Sequence, residues 1–333
     1  MRAAVRAQPN IALVKYWGKR DTERNLPAVG SISITLADLF TTMDVAFDDA
    51  LAGDSLVVNG QENRAMLPRV SRCLDSVAGA DRSRAAVVSE SNFPIAAGLA
   101  SSASAFAALV VAADAAAGAG HGREQLANLA GMASGSAARS IYGGFVELAN
   151  EGDHITVSTL CAAEDWPLTV VVAITASGPK AVGSTRAMET SRDTSPFYAR
   201  WVEQQPVDLD EARAAIGARD FARLADVAEH NCLKMHSVMW ASRPPVVYWN
   251  DPKPPLTPVG GSARSVDSPV RGSTSSPEPW NGASLNPRNA RRSASATWPT
   301  RNGGPLVAVW PSLVISCGSP TTPISVHVSV STS

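Results

Sequence analysis

Several features that would assign a function on their own are scarce or missing in this 333-residue chain. Its four cysteines are scattered, so they predict neither a zinc knuckle nor a redox pair and fit a reduced, cytoplasmic setting. Neither a run of 18 apolar residues nor a signal-peptide-like N-terminus is present, which predicts a soluble intracellular protein. A net charge of -1 gives no general attraction to nucleic acid or anionic membranes, so an anion would need a local cationic cluster.

Composition changes abruptly near Asn250. Residues 251–333 hold 13 of the 23 prolines, 16 serines and no phenylalanine, and their net charge is +4 against -5 for residues 1–250. This segment has no apolar period of 2.0 or 3.6 residues, and proline interrupts it too often for a packed core. We therefore predict a disordered Pro/Ser/Arg-rich tail. We favour a reading-frame shift as its origin, with a natural linker or tail as the alternative.

The first 250 residues have the pattern of an ordinary globular protein. Strands are predicted within residues 10–17 and 31–47 from their β-branched and aromatic content, and residues 168–175 predict a buried strand. The predicted helices cover residues 65–78, 101–117 (ended by Gly118), 123–133, 194–205 and 209–241, the last with a break near Gly217. This mixture predicts an α+β fold.

A serine-containing loop precedes the most alanine-rich helix, in the stretch PIAAGLASSASAFAAL (residues 94–109). A helix that begins after a tight loop presents N–H groups without partners and a partial positive charge, which together bind phosphate. Gly98 allows a close approach of the backbone, and the hydroxyls of Ser101, Ser102 and Ser104 suit phosphate oxygens or Mg²⁺. Neither GxxxxGK[ST] nor GxGxxG is present, and a serine-capped core helix is the alternative interpretation.

A cationic cluster lies in NIALVKYWGKRD (residues 10–21), where Lys15, Lys19 and Arg20 fall within six residues, beside aromatic side chains. This composition suits a strongly anionic small molecule, and an edge strand ending in solvated lysines is the alternative.

Two further segments place cations beside hydroxyl groups. In ASGSAARSIYGGFVEL (residues 133–148), a helical turn that starts at Ser136 would put Arg139 and Ser140 on one face. Arginine offers bidentate geometry to phosphate or carboxylate. Residues 178–198 carry Lys180, Arg186 and Arg192 among serines and threonines, which predicts either a loop that closes over a substrate or a plain loop before a helix.

Five motifs, in this order, resemble the GHMP superfamily of small-molecule kinases and, within it, the diphosphomevalonate decarboxylase family. They are NIALVKYWGKRD, FPIAAGLASSASAFAAL, SGSAARSIYGGF, STRAMETSRDTS and HNCLKMHSVMWASRPPVVYW. The resemblance covers residues 8–250 and implies a two-domain GHMP-kinase-like fold. Residues 1–178 would form the N-terminal ATP-binding domain and residues 179–250 an incomplete C-terminal domain, followed by the aberrant tail over residues 251–333.

The resemblance implies an ATP-dependent carboxy-lyase of isoprenoid biosynthesis, with ATP and Mg²⁺ as cofactors and a homodimeric assembly. Its substrate would be mevalonate 5-diphosphate, whose 3-hydroxyl is phosphorylated before phosphate and CO₂ leave to give isopentenyl diphosphate. The residues implied for ATP are Gly98, Leu99, Ala100, Ser101, Ser102 and Ser104, with Ser102 also implied for Mg²⁺. Those implied for mevalonate diphosphate are Tyr16, Lys19, Ser134, Ser136, Ser184 and Met188. Lys15 and Arg139 would be catalytic and orient the substrate carboxylate and 3-hydroxyl.

One segment of the family pattern has no counterpart here. After RPPVVYW the family has a DAGPN-type segment, whose aspartate lies beside the 3-hydroxyl and is required for turnover. The resemblance stops at Trp249 and Asn250, and neither Asp251 nor Asp267 lies in a matching context. We therefore expect poor folding or weak activity, with the apolar face of residues 227–240 exposed. The alternatives are a mevalonate-type 3-kinase without decarboxylation and an inactive ligand-binding pseudoenzyme.

Overall fold

The computed structural model describes residues 1–95, 99–174, 182–248, 306–310, 313–317 and 326–330, the last three segments and residues 171–174 by their backbone. Strands and helices alternate irregularly and form a mixed α+β fold, which confirms the predicted class. None of the helices in these residues combines the length and hydropathy needed to cross a membrane.

The first sheet has five strands. They are β1 (Arg2–Ala7), β6 (Thr41–Asp48), β7 (Ser55–Val58), β8 (Gln61–Glu62) and β9 (Arg84–Ser91), in the order β1-β6-β9-β7-β8. Alternate residues of β6 are buried: Met43, Val45 and Phe47 belong to an apolar cluster shared with helices α1 (Leu67–Ala78) and α2 (Ser101–Ala117). This alternation is typical of a sheet with one face covered by helices.

The second sheet has four antiparallel strands. They are β2 (Asn10–Val14), β5 (Ser31–Thr35), β10 (Phe145–Glu151) and β11 (His154–Cys161), in the order β11-β10-β5-β2. Strand β5 is buried throughout, and its Ile32 and Ile34 join the apolar cluster formed with helices α5 (Tyr198–Ala218) and α6 (Phe221–Trp240). Because side chains alternate along a strand, Ser31 and Ser33 face the other way, toward the functional site.

The remaining described strands form two smaller sheets. One consists of β3 (Lys19–Asp21) and β4 (Leu26–Pro27). The other contains β12 (Leu168–Ile174), β13 (Leu306–Trp310), β14 (Leu313–Cys317) and β15 (Val326–Val330), in the order β13-β14-β12-β15.

Three short strands, β13 to β15, lie within residues 251–333, for which the sequence predicts a disordered tail. Each is a short apolar or β-branched run, and β14 and β15 satisfy the backbone groups on the two edges of β12. The rest of this segment lies outside the described residues.

The predicted exposure of residues 227–240 is wrong, because Val227, Cys232 and Met235 are buried, although Leu233 and Trp240 remain exposed.

The helix predictions hold for the N-terminal half. The helices α1, α2 and α3 (Arg123–Ala133) match the predicted spans to within two residues, and Gly118 ends α2 in the left-handed conformation with φ +67°. The structure has a helix, α4 (Ser184–Thr194), where the sequence predicts a loop. Its buried residues are few, namely Ala187, Met188 and Ser191, so the sequence carries little apolar signal for a helix.

Helix α5 continues through Pro206, where the sequence predicted a gap between two helices. Buried Trp201 and Leu209 lie on either side of this proline, so packing outweighs its local preference. The break falls at Arg219, which has φ 54°, and the Asp220 carboxylate then accepts a hydrogen bond from the Arg223 N–H at 3.0 Å. The predicted domain boundary at residues 178 and 179 lies outside the described residues.

The start of β10 gives a test of this fold. Gly144 has φ +79°, and a Cβ atom there would overlap the carbonyl oxygen of Cys161. We expect Gly144→Ala to lower the free energy of unfolding by about 2–4 kcal/mol, because the left-handed conformation and the overlap both add strain.

Gly143→Ala is the matched control, since a Cβ atom at Gly143 would meet nothing within 4 Å. Its free energy of unfolding should change by less than about 0.5 kcal/mol. Urea unfolding of both variants tests this, and equal stabilities would contradict the strain at Gly144.

Candidate functional site

The centre of the site is the guanidinium of Arg139, which is 2% exposed. Its Nε donates to Oγ of Ser33 at 2.9 Å, Nη1 to Oγ of Ser31 at 2.5 Å, and Nη2 to Oδ1 of Asn10 at 3.2 Å. Arg139 lies in the 3-10 helix Ala137–Ile141, so a helical turn does follow Ser136 as the sequence predicted. All three acceptors are uncharged, and no carboxylate of the described residues pairs with this cation.

Burial without a counter-charge determines the electrostatics of the site. Desolvation lowers the pKa of Arg139 to about 10, and the nearby Tyr16 partly opposes this shift. The guanidinium therefore stays charged at neutral pH. Because a buried cation is costly when its charge is not balanced, this pocket favours an anionic ligand.

Tyr16 and Lys15 lie beside Arg139. The Tyr16 hydroxyl is buried and has no hydrogen-bond partner among the described residues. A Cβ atom at Gly135 would lie 2.6 Å from this hydroxyl, so the glycine makes room for it. Burial raises the pKa of Tyr16 to about 12.

Burial lowers the pKa of Lys15, and the charge of Arg139 acts in the same direction. The Nζ atom of Lys15 donates a hydrogen bond to the Ala12 carbonyl at 2.8 Å.

A second positively charged region of the site contains Lys19, Arg69 and the N-terminus of α4. Lys19 is 8% exposed, and its Nζ donates to Oγ1 of Thr185 at 3.3 Å, in the first turn of α4. Burial lowers the pKa of Lys19, Glu189 opposes this shift, and the charge of Arg69 adds to it. The N-terminus of α4 contributes the positive end of its dipole at the same place.

Arg69 and Asn10 are the residues of this site that the sequence reasoning missed. Arg69, from α1, donates to the Ala133 carbonyl from Nε (3.0 Å) and Nη2 (2.6 Å), immediately before Ser134. Asn10 Nδ2 donates to the Ser136 carbonyl at 2.9 Å and to Oγ of Ser140 at 2.8 Å. Asn10 begins a motif that the sequence singled out, whereas no local pattern marks Arg69.

The predicted substrate serines lie near these groups. Ser134, which is buried, and Ser136, which is half-buried, flank Gly135 and so lie next to the Tyr16 hydroxyl. Ser184 is half-buried in the first turn of α4, where its hydroxyl interacts with Tyr248. Met188 is buried in an apolar cluster with Trp17.

The cations predicted in residues 178–198 do not gather at the site. Arg186 is exposed, and Arg192 pairs with its neighbour Asp193 at 2.7 Å. Lys180 lies outside the described residues.

The serine loop leads into α2 without a side-chain cap. Ala100 has left-handed φ 52° and makes no capping bond, so a serine-capped helix is not what the structure shows. Ser101 is half-buried and Ser102 is exposed, next to the first backbone amides of the helix. Leu99 is buried, and Gly98 lies outside the described residues.

Ser104 occupies a different environment from the other serines of the loop. It is fully buried, and its hydroxyl lies 2.7 Å from Oγ1 of Thr41 while donating to the Ser101 carbonyl at 3.2 Å. This placement favours a role in holding α2 against β6 over direct contact with a ligand.

A cavity of about 350 Å³ opens beside the start of the loop, which is within the usual range for small-molecule pockets. Its lining residues come from the β7–β8 hairpin and the loop: Val58, Asn59, Gln61, Glu62, Asn63 and Ile95. Helix α2 also contacts the 3-10 helix that carries Arg139. The helix that follows the serine loop therefore packs against the turn that carries the buried guanidinium.

Comparisons with known proteins find similarity to one family over most of the chain. Residues 7–160 match the diphosphomevalonate decarboxylase-like N-terminal domain, and residues 170–254 match the mevalonate 5-diphosphate decarboxylase C-terminal domain. The diphosphomevalonate decarboxylase of Eremothecium gossypii is 37% identical, over 75% of this chain and 68% of that protein. The Candida albicans enzyme of the same name is 36% identical, over 75% of each chain.

Solved structures show the same relationship. The mevalonate diphosphate decarboxylase of Staphylococcus aureus has 38% identity and a TM-score of 0.70, over 75% of this chain and 77% of that one. A complex of MDDEF with MVAPP, AMPPCP and magnesium has 28% identity and a TM-score of 0.72, over 95% of this chain and 88% of that one.

The Tyr16 hydroxyl gives a test of the site without any ligand. We expect Tyr16→Phe to raise the free energy of unfolding by about 1 kcal/mol, because a buried polar group without a hydrogen bond is destabilising. Tyr248→Phe should lower this free energy by about 1 kcal/mol, since the Tyr248 hydroxyl donates to the Val182 carbonyl at 2.9 Å. Urea unfolding compares the two variants, and equal losses of stability would show that the Tyr16 hydroxyl is bonded.

Proposed function

Because the chain belongs to the diphosphomevalonate decarboxylase family, we propose that it binds mevalonate 5-diphosphate and ATP side by side and acts as an ATP-dependent carboxy-lyase. ATP phosphorylates the tertiary 3-hydroxyl of the substrate. The C–O bond to the new phosphate then breaks as the bond to the carboxylate breaks, and the electron pair of that bond forms the double bond of isopentenyl diphosphate. CO₂, phosphate and ADP are the other products.

The observation that carries this proposal is the buried charge of Arg139. Three of its five N–H donors bond uncharged groups, so two remain for a ligand. A carboxylate matches both the charge and the planar geometry of a guanidinium. We assign Arg139, with Lys15 close by, to the substrate carboxylate and 3-hydroxyl.

The diphosphate end of the substrate suits the cations around Lys19. Lys19 and Arg69 interact electrostatically, and the N-terminus of α4 adds donors and a partial positive charge. We assign the Tyr16 hydroxyl and the serines beside Gly135 to the same group. This arrangement supplies charge neutralisation, on which binding of a diphosphate depends.

ATP suits the serine loop and the cavity beside it. The first amides of α2, with the hydroxyls of Ser101 and Ser102, would hold the phosphates, and the cavity lined by Asn59 and Ile95 would take the adenosine. Among the described residues no group of three or more His, Cys, Asp or Glu side chains could hold a metal ion. The Ser102 hydroxyl fits one Mg²⁺ ligand, with the ATP phosphates supplying others, and the bound ion would neutralise their charge.

Turnover is expected to be slow. The family match to the C-terminal domain ends at residue 254, and no aspartate in a DAGPN-type context follows. The residues described above would bind and orient the substrates, but none of them would take the place of that aspartate. We also infer a cytoplasmic homodimer from the family.

Binding experiments separate the two halves of the site. Lys19→Met should weaken mevalonate 5-diphosphate binding about 100-fold, because a charged interaction is lost, and leave ATP binding within about twofold. Ser102→Ala should weaken Mg-ATP binding about tenfold, with mevalonate 5-diphosphate binding unchanged. Isothermal titration calorimetry measures both ligands.

The control for Lys19→Met is Arg72→Met, which removes the same charge from an exposed position on α1. This variant should bind both ligands like the parent protein. A loss in Arg72→Met as large as in Lys19→Met would mean that net charge, and not the pocket, binds the diphosphate.

Product analysis tests the reaction itself. With saturating ATP and mevalonate 5-diphosphate, we expect equal amounts of ADP and CO₂, at a rate about 10²–10⁴-fold below that of a family member that has the aspartate, which is the usual effect of a missing acid–base group. ADP without CO₂ would indicate a 3-kinase, and ligand binding without ADP a pseudoenzyme. Turnover at the full rate of such a relative would contradict the expected weakness.

A further inference from the structure

Two buried side-chain amides that the proposed chemistry does not use hold the backbone of Lys15. Strand β2 ends at Val14, so the sheet ladder does not extend to Lys15. Its backbone N–H donates to Oδ1 of Asn231 at 2.7 Å, and its carbonyl accepts from Nε2 of Gln205 at 2.6 Å. Two side-chain amides, from α6 and α5, thus bond both backbone groups as a neighbouring strand would.

The two amides are bonded to each other and to a carboxylate. Asn231 Nδ2 donates to Oε1 of Gln205 and to Oδ2 of Asp208, both at 2.7 Å, and Lys234 Nζ lies 2.7 Å from Oδ1 of Asp208. Because a carboxylate only accepts hydrogen bonds, Asp208 fixes which side of the Asn231 amide faces Lys15. Asn231 and Gln205 are 0% and 1% exposed, so water does not compete with these bonds.

We propose that Asn231 and Gln205 are positioning residues for the substrate pocket, an inference that rests on the proposed function. Lys15, Tyr16 and Lys19 belong to one short segment, and Lys15 is its first residue beyond the sheet. Holding both backbone groups of Lys15 fixes the direction in which Tyr16 leaves toward Gly135 and Arg139. The Asp208–Lys234 pair sets this geometry from the surface, since Lys234 is only partly buried.

The neighbourhood of the two amides supports this role. On the same helices Leu209 and Ala212 of α5, and Met235 and Val238 of α6, are buried in apolar clusters. The hydrogen-bonded amides at Lys15 therefore lie between helices that also bury apolar residues. An apolar residue at 205 or 231 would fill the same space but leave a backbone group of Lys15 without its bond.

The test compares Gln205→Met with Gln204→Met in the full chain. Methionine keeps the length of the side chain and removes the donor to the Lys15 carbonyl. We expect Gln205→Met to weaken mevalonate 5-diphosphate binding about 10–100-fold, because small displacements of binding groups have effects of this size, and to leave ATP binding within about twofold. Hydrogen exchange of residues 15–19 should also become faster. Calorimetry with each ligand and mass spectrometry measure these effects.

Gln204 is half-buried on the same helix and forms no bond to Lys15, so Gln204→Met should behave like the parent protein. Equal affinities of the two variants would overturn the inference and leave the proposed function intact. Equal losses for ATP and mevalonate 5-diphosphate in Gln205→Met would mark a merely structural role and also overturn it. Failure of the parent protein to bind mevalonate 5-diphosphate would instead refute the proposed function, and the inference with it.

Lys234→Met provides a second variant that acts from the surface and should fold even if Gln205→Met does not. It removes the cation that orients Asp208, and we expect mevalonate 5-diphosphate binding to weaken about threefold with ATP binding unchanged. If Gln205→Met does not fold, unchanged affinity of Lys234→Met for both ligands would overturn the inference.

Discussion

A positive charge that is buried without being neutralised is the constraint on which this structure depends. The second sheet accommodates Arg139 by alternating apolar and hydroxyl side chains along β5, so that Ile32 and Ile34 fill the core while Ser31 and Ser33 bond the guanidinium. Uncharged partners satisfy part of its hydrogen-bonding capacity and leave its charge unbalanced. An anion that enters would balance this charge and lower the free energy of the arrangement, which is the physical basis of the proposed carboxylate site.

Two helix starts extend this positive region. The first turn of α2 follows an uncapped loop, and the first turn of α4 lies against Lys19. Each helix contributes backbone donors and the positive end of its dipole, and α2 contacts the turn that carries Arg139. These helix starts and the buried guanidinium are the groups on which the proposed binding of two anionic substrates depends. Phosphoryl transfer depends mainly on such positioning and charge neutralisation.

The helices α5 and α6 serve both the core and the site. Their apolar faces cover the second sheet, and their buried amides hold the backbone of Lys15 at the end of β2. The strand at residues 306–310 lies against α6, so the last described strands contribute to the same half of the molecule. Stability of this half and geometry of the pocket are therefore linked through a few hydrogen bonds.

The sequence by itself determined the helices of the N-terminal half and predicted an anionic ligand. Helical periodicity and a glycine stop predicted α2 and α3, and the order of five motifs predicted the family and an anionic substrate. These signals are local, because helix spans and motifs are written in neighbouring residues. They also indicated Arg139 as an anion-binding residue, because a helical turn that starts at Ser136 would put the guanidinium of Arg139 and the hydroxyl of Ser140 on one face.

Only the tertiary structure decided which groups meet. The Lys15 backbone bonds Asn231 and Gln205, which are 216 and 190 positions away in the chain, and no periodicity reports such a pair. Packing likewise buried Ser104 against Thr41 and brought Arg69 near enough to Lys19 for its charge to lower the pKa of that lysine. The physical reason is that long-range hydrogen bonds and desolvation depend on how helices and sheets dock, whereas sequence patterns record local backbone preference and which face of an element is apolar.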